Sequence, residues 1–338
     1  MQHTTLGQTE IQVPRLCIGG MSFGEVFPDT HQWAIGQDET QQVLARALEL
    51  GVTFIDTANV YAHGTSEEMI GTALARLGVP REDVVLASKV YFNEGHLSAE
   101  AIEREITGSL RRLGTDYLDL YIIHRFDYGT PVEETLAALD GLVRSGRVRA
   151  LGASAMYGYQ LHTMQVVARD HGWTPFSSMQ NHYNLLYRED ERELIPVCQQ
   201  LGVSLTPYSP LASGHLTRPS WDSGSVRSTT DATMRAKYDA AQELDLPVIE
   251  RVATVAERHQ VPMADVALAW LWAKGVAAPI VGCSSPGRVD DAVRAMQLEL
   301  SADEVAFLEE PYRPHPVVGA LARPGEPTAP GSVAARPA

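Results

Sequence analysis

From Val52 onward, short apolar runs alternate with longer stretches whose apolar residues recur at helical spacing. Buried strands are predicted at 52–55, 84–88, 118–123, 148–153, 177–181, 203–207 and 278–281, with an N-terminal run at 15–19 as an eighth. Between them the pattern predicts helices. One spans 66–77, with Ser66 as N-cap and Glu67 and Glu68 in its first turn. Another spans 98–113, with Ile102, Ile106, Leu110 and Leu113 on one face. The helix at 131–145 opens on Pro131, where a missing N–H costs nothing. Further helices are expected at 158–171, 188–201, 248–259, 263–273 and 286–296. Strands alternating with helices mean βαβ units and a parallel sheet.

The strand ends recur with a regular step. Asp56, Lys89, His124, Ser154, Gln180 and Tyr208 each follow a predicted strand, with gaps of 33, 35, 30, 26 and 28 residues. One βαβ unit takes about 30 residues. Eight such units predict an α/β fold of the (β/α)8 TIM-barrel type, with extra C-terminal helices and long loops at the barrel mouth. A doubly wound sheet is the competitor, but its Gly-rich first turn is missing, since no GxGxxG occurs. The 74 residues from Tyr208 to Gly282 must hold an insertion. Its first part, 211–245, reads as a long loop rich in Ser, Thr, Gly and Asp. Residues 1–310 are expected to form one barrel domain. The segment 311–338 carries seven prolines in 28 residues and reads as a loop or tail, either folded over the mouth or disordered.

Composition narrows the chemistry. With 27 basic and 42 acidic residues the net charge is −15, which argues against a nucleic-acid partner. Cys17, Cys198 and Cys283 are odd in number and widely spaced, so neither a disulfide framework nor a CxxC metal site is expected. The apolar stretch 266–273 is too short to span a membrane, and the N-terminus lacks the basic and apolar regions of a secretion signal. A soluble cytoplasmic protein acting on a small molecule is expected, with the oligomeric state open. There is no HxH, HExxH or P-loop, and 152–156 lacks the last glycine of a nucleophile elbow. No metal site is expected.

Any one polar residue after a strand is usually a cap or a turn residue. Six at one level, on successive strands, point instead to the mouth of a barrel, where active sites lie. Tyr61, five residues after Asp56, can face the same pocket. A free phenol has a pKa near ~10, and a neighbouring ammonium such as Lys89, held by Asp56, is expected to lower it. His124 can bond a substrate oxygen or orient the phenol. Such an acid beside a carbonyl oxygen suits reduction by an external hydride donor.

The segments GVTFIDTANVYAHGTSEEMIG, ASKV, IIHR, QNHYN and PYSPLASGHLT resemble the aldo-keto reductase superfamily across residues 5–310, in the correct order. HYNLLYRE and VIERVA look closest to bacterial members labelled aryl-alcohol-dehydrogenase-like. That resemblance implies a catalytic tetrad of Asp56, Tyr61, Lys89 and His124, with Tyr61 the general acid, and NADP(H) as cofactor. It places Ser154 and Gln180 on the nicotinamide carboxamide and Tyr208 against the ring. Ser209, Leu211, Ser213 and Gly214, with Arg218 as a weaker candidate, match the pyrophosphate loop. Gly282, Ser284, Ser285 and Arg288 match the adenosine-phosphate end, at a helix N-terminus. Two positions depart from the family pattern: Ala155 replaces an Asn that often follows the serine, and Asp291-Ala292 replaces an adenine-binding Glu-Asn pair. Candidate substrate contacts in the mouth loops are Phe23, Trp33, Tyr91, Phe92, Arg125, Phe126, Tyr157 and Trp221, beside Tyr61 and His124. An NADPH-dependent reduction of aldehydes or ketones, reversible toward alcohols, is the reading favoured. A redox-neutral dehydratase or epimerase on the same scaffold, and a nucleotide sensor resembling potassium-channel β subunits, stay open.

Overall fold

The computed structural model describes residues 1–28, 30–221, 230–318 and 321. An antiparallel hairpin of β1 (His3–Thr5) and β2 (Gln12–Pro14) comes first. Eight parallel strands follow: β3 (Cys17–Gly19), β4 (Phe54–Asp56), β5 (Val85–Val90), β6 (Leu118–Ile123), β7 (Val148–Ser154), β8 (Phe176–Gln180), β9 (Ser204–Leu205) and β10 (Ile280–Gly282). They lie in sequence order, with β10 returning beside β3. On the other side of β10, Ala277 N donates to Leu205 O at 3.0 Å and Ile280 N to Pro207 O at 2.9 Å. These bonds carry the sheet across from β9 to β10, and the fold is a (β/α)8 barrel.

Side chains alternate between barrel interior and helix layer. Cys17, Phe54, Ala87, Leu120, Ile122, Ala150 and Ile280 form an inner apolar cluster, closed by Leu6 and Val13 of the hairpin segment. Their neighbours Ile18, Ile55, Leu86, Tyr121, Ile123 and Leu151 belong to the larger cluster beneath the helices. Every residue of β6 is buried, as expected of a strand covered on both faces. The same alternation carries the site: Asp56 follows Phe54, Lys89 follows Ala87, and His124 follows Ile122 on the inward face.

The helices differ from expectation at particular ends. Ser98 caps helix Ala99–Leu113, its side chain accepting from Ala101 N at 3.3 Å. Ser66 is no N-cap: helix Thr65–Arg76 begins one residue earlier, after left-handed Gly64. Ser66 Oγ instead donates to Gly20 O at 2.8 Å, inside the core. The span 188–201 divides into a turn, Glu189–Arg192, and helix Leu194–Leu201. The span 211–245 is less loop than its composition predicts. It holds the turn Ala212–Thr217, helix Ala232–Tyr238 and the start of helix Gln242–His259, while 222–229 lie outside the described residues. Pro247 sits inside that last helix, early enough to remove only one hydrogen bond of its first turns. Helices Gln37–Glu49 and Ala302–Glu309 and the hairpin are additions to the predicted elements. Residues 311–318 run without regular structure against the barrel, and 322–338 lie outside the described residues.

Candidate active site

Asp56 is the last residue of β4, and Lys89 the fifth of β5, one strand over. Both are buried, and the Lys89 ammonium bonds the Asp56 carboxylate directly. Lys89 Nζ also donates to Thr57 O at 2.8 Å and to Tyr61 Oη at 3.2 Å. Tyr61 opens a tight turn, Tyr61–Gly64, in which Ala62 (φ 46°) and His63 (φ 55°) adopt left-handed backbone. Thr65 Oγ1 fastens that turn by donating to Ala62 O at 2.8 Å. The turn returns the phenol toward β5, where the ammonium also lies 4.7 Å from the ring centroid. His124 meets the Tyr61 ring edge to face, with centroids 5.8 Å apart. The four residues expected as a tetrad are therefore brought together.

Burial sets their proton affinities. It disfavours the His124 cation, as do Lys89 and Arg125 nearby, so the imidazole is held well below its usual range and stays neutral. No protein group among the described residues bonds either ring nitrogen, and Nδ1 is sealed from solvent. Burial pushes the Asp56 carboxyl up against the pull of Lys89. Burial also opposes the Lys89 cation, but Asp56 and Tyr61 outweigh it and hold the ammonium above its usual value. For Tyr61 the expected lowering is corrected. Lys89 pulls the phenol down, yet burial exceeds that pull and the net shift is upward.

The residues matched to the cofactor surround this centre. Gln180 Nε2 donates to Asp56 Oδ2 at 3.2 Å, and Ser154 Oγ to Gln180 O at 2.7 Å. Tyr208 stacks on His182 with rings 8° from parallel, and His182 stacks in turn on Tyr187 at 4.3 Å. The Lys237 ammonium lies 4.8 Å from the Tyr208 ring centroid. After Tyr208 the backbone turns left-handed at Ser209 (φ 55°), Ala212 (φ 48°), Ser213 (φ 55°) and Gly214 (φ 103°). Leu211, at φ −100° and ψ 19°, precedes Ala212, and the segment closes on itself as a tight turn, Ala212 N donating to Ser209 O at 2.9 Å and Gly214 N to Leu211 O at 2.8 Å. At φ 103° Gly214 holds a backbone conformation that residues with a side chain rarely adopt, and a Cβ there would press on Arg218 Nη1 at 3.2 Å. Arg218 clamps the loop itself, donating to Gly214 O at 2.8 Å and Trp221 O at 3.1 Å. Gly282, Ser284, Ser285 and Arg288 are exposed at the start of helix Pro286–Ala295. Asp291, in the same helix, pairs with Arg294 at 2.6 Å.

The substrate candidates divide. Phe23 is corrected: its ring is fully buried in the apolar core and does not line the mouth. Phe92 meets His124 edge to face at 5.0 Å, and Tyr91 meets Phe92 likewise at 5.2 Å. Phe126 packs on Tyr128, Tyr157 on Tyr159, Trp33 on His31, and Trp221 on His215 at 4.1 Å. His182 is an addition to the residues singled out from sequence. It lies two positions beyond Gln180, on the same inward parity, and that was its signal. Lys237 falls in a span read as loop and gave none.

A sequence pattern described as the aldo/keto reductase family matches residues 15–313 of this chain. An aldo-keto reductase of Fusarium vanettenii is 40% identical over 343 residues, covering 93% of this chain and 92% of that protein. Versiconal hemiacetal acetate reductase of Aspergillus parasiticus is 37% identical over 350 residues, covering 96% of this chain and 100% of its own. A Schizosaccharomyces pombe protein named as an aryl-alcohol dehydrogenase is 39% identical over 349 residues, covering 94% and 97%. These relatives are fungal and yeast proteins, not the bacterial ones to which the sequence wording points.

Proposed function

The chain belongs to the aldo/keto reductase family, and on that premise we propose that it reduces an aldehyde or ketone to the alcohol, with NADPH as cofactor and Tyr61 as proton donor. The bound cofactor would supply the hydride that reaches the carbonyl carbon. The observation that carries the reading is the buried Lys89 ammonium, held by Asp56 and bonded to Tyr61 Oη beside a neutral His124. Burial keeps the Tyr61 phenol protonated but also makes it a weaker acid, so its proton transfer depends on the Lys89 ammonium bonded to its oxygen. The proton passes from Tyr61 Oη to the carbonyl oxygen as negative charge develops there, and Lys89 stabilises the phenolate left behind. Neutral His124 can donate one hydrogen bond to the same oxygen and so orient the carbonyl. We assign Gln180 and Ser154 to the carboxamide, Tyr208 to the ring and the loop at 209–214 to the diphosphate of the cofactor. The names of the relatives, a hemiacetal acetate reductase and an aryl-alcohol dehydrogenase, fit carbonyl–alcohol chemistry.

The test follows NADPH absorbance with a panel of aliphatic and aromatic aldehydes and ketones. Multiple-turnover consumption with alcohol formed in equal amount is expected. Tyr61→Phe keeps the ring and should lower kcat by about 10²–10⁴-fold while NADPH still binds. A variant retaining more than about a tenth of the rate, far above that range, removes Tyr61 from the role. Product formed without net NADPH consumption would instead favour a redox-neutral enzyme.

A further inference from the structure

Resting on that reading, we propose that the carbonyl substrate carries a carboxylate, recognised by Arg125 at the rim of the site. Arg125 immediately follows His124 and is partly buried. Its guanidinium carbon lies 4.7 Å from the Phe92 ring centroid, and the same ring meets His124 at 5.0 Å. The guanidinium and the imidazole thus both pack on the Phe92 ring. Two other partly buried arginines have carboxylates, Arg81 with Asp119 at 2.7 Å and Arg188 with Glu191 at 2.7 Å, and Arg15 donates to Val276 O at 3.3 Å. For Arg125 no carboxylate of the described residues lies within 4.0 Å, and none of its N–H groups bonds a protein acceptor. The acid nearest in sequence, Asp127, is occupied elsewhere. It accepts from Leu97 N at 3.2 Å, Gly129 N at 2.8 Å and Thr130 Oγ1 at 2.7 Å.

A guanidinium presents several N–H donors in a planar fork that matches a carboxylate. Partly removed from water and bonded to no acceptor, it is disfavoured as a cation, and burial does hold Arg125 below its usual value. A face-on ring offsets only part of that cost. An anion arriving with the substrate supplies what the chain withholds. The aromatic wall of Tyr91 and Phe92 suits a flat ring between the two functional groups. A chain of net charge −15 repels anions at long range, so selection for one requires a local cation.

The decisive pair is para-carboxybenzaldehyde and its methyl ester, alike in shape around the aldehyde and differing in charge. A charge-assisted hydrogen bond is worth about a tenfold to hundredfold preference, so wild-type kcat/KM should favour the acid by at least about tenfold. Arg125→Gln should bring that ratio to about one, mainly through KM of the acid, and Arg125→Lys should restore part of it. Benzoate binding to the NADP-loaded protein, followed by fluorescence, gives a reading independent of turnover. It should weaken at least about tenfold in Arg125→Gln, while the dissociation constant for NADPH stays that of the wild type. A wild-type ratio near one, a ratio unchanged in Arg125→Gln, or equal loss of NADPH and benzoate affinity would overturn the assignment. If no aldehyde is reduced at all, the carbonyl-reductase reading fails on its own. Benzoate binding then still decides Arg125: weakening in the variant upholds the anion site, and equal binding removes it.

Discussion

Two residues, Tyr61 and Arg288, show how context decides what a side chain can do. Tyr61 has an ammonium 3.2 Å from its oxygen and still gains proton affinity, because burial costs the phenolate more than Lys89 returns. On the reading proposed above, Tyr61 keeps its proton at neutral pH, and alcohol oxidation, which would need the phenolate, should gain as pH rises. Arg288 is the reverse case, exposed at the N-terminal turn of helix Pro286–Ala295. Its neighbour three residues on, Asp291, pairs instead with Arg294 at 2.6 Å. No carboxylate of the described residues lies within 4.0 Å of Arg288. A guanidinium beside Ser284, Ser285 and a helix N-terminus suits the 2′-phosphate that distinguishes NADPH from NADH. Arg288→Ala is expected to raise the dissociation constant for NADPH more than about tenfold and to change that for NADH little, since a charge-assisted bond to the phosphate is lost. Titration of cofactor fluorescence against both proteins measures this, and equal weakening of the two cofactors would assign Arg288 to adenine or to folding.

Among the elements, helix Thr65–Arg76 is tied to the barrel by charge as well as by packing. Glu67, in its first turn, is fully buried. It accepts from Ser88 Oγ at 2.5 Å and from Arg112 Nε at 2.7 Å. Ser88 is the outward neighbour of inward-facing Lys89, so this knot clamps the back of the strand whose front carries the ammonium. Glu67→Gln keeps the shape and removes the charge, leaving Arg112 without its partner. Breaking a buried pair from one side costs about 3–5 kcal/mol, and the incomplete burial of Arg112 puts the expectation at the lower end. Chemical denaturation of the variant should show the loss as a lower midpoint with an unchanged slope. A loss of only a few tenths of a kcal/mol, the scale of exposed pairs, would show that the knot is no stronger than a surface ion pair.

At the scale of the molecule, the chain folds its last described residues back over the mouth side of the barrel. Tyr312 Oη donates to Glu189 at 2.8 Å, His315 N donates to the same carboxylate at 2.8 Å, and Val318 N reaches Tyr187 Oη at 3.3 Å. Tyr187 is the outer member of the stack that ends on Tyr208, so this segment backs the proposed nicotinamide platform. One buried pair fastens it: His315 Nε2 lies 3.0 Å from Asp245 Oδ1, at ion-pair distance though without an aligned hydrogen bond. Burial raises the Asp245 carboxyl to about 8 and lowers the His315 imidazole, so in the fold the two hold one proton between them up to about pH 8. Unfolded, the same two groups lose that proton as the free imidazole titrates near ~6.5. The unfolded chain therefore releases the proton first, and stability should fall as pH rises from about 6.5 to about 8, by about 1–2 kcal/mol at most. Asp245→Asn cannot hold the proton and should flatten this slope in denaturation midpoints measured across that range. An unchanged slope would place the pH dependence elsewhere.

Much of this architecture was legible in the order of residues because its causes are local. Period-two alternation in Phe54–Asp56, Ala87–Lys89 and Ile122–His124 already assigns each polar group to the barrel interior. A step of near 30 residues assigns them to successive strands. Asp56, Tyr61, Lys89 and His124 could therefore be grouped before any contact was seen. The start of the helix near Ser98 was equally readable, although Ser98, read as its first residue, proves to be its cap. What tertiary structure decided depends on groups far apart in the chain. Phe23 moved from mouth to core, and Ser66 from cap to core hydrogen bond with a residue 46 positions away. The hairpin that closes the barrel floor is too short to show a period, and the helices within 211–245 were masked by polar composition. Proton affinities and the choice among arginines belong to the same class. Desolvation at Tyr61 is set by every element around it, and Arg125 has no carboxylate within 4.0 Å among the described residues while Asp127 is held by Leu97, Gly129 and Thr130. Periodicity records which face a side chain turns to; burial and pairing are settled only when distant segments meet.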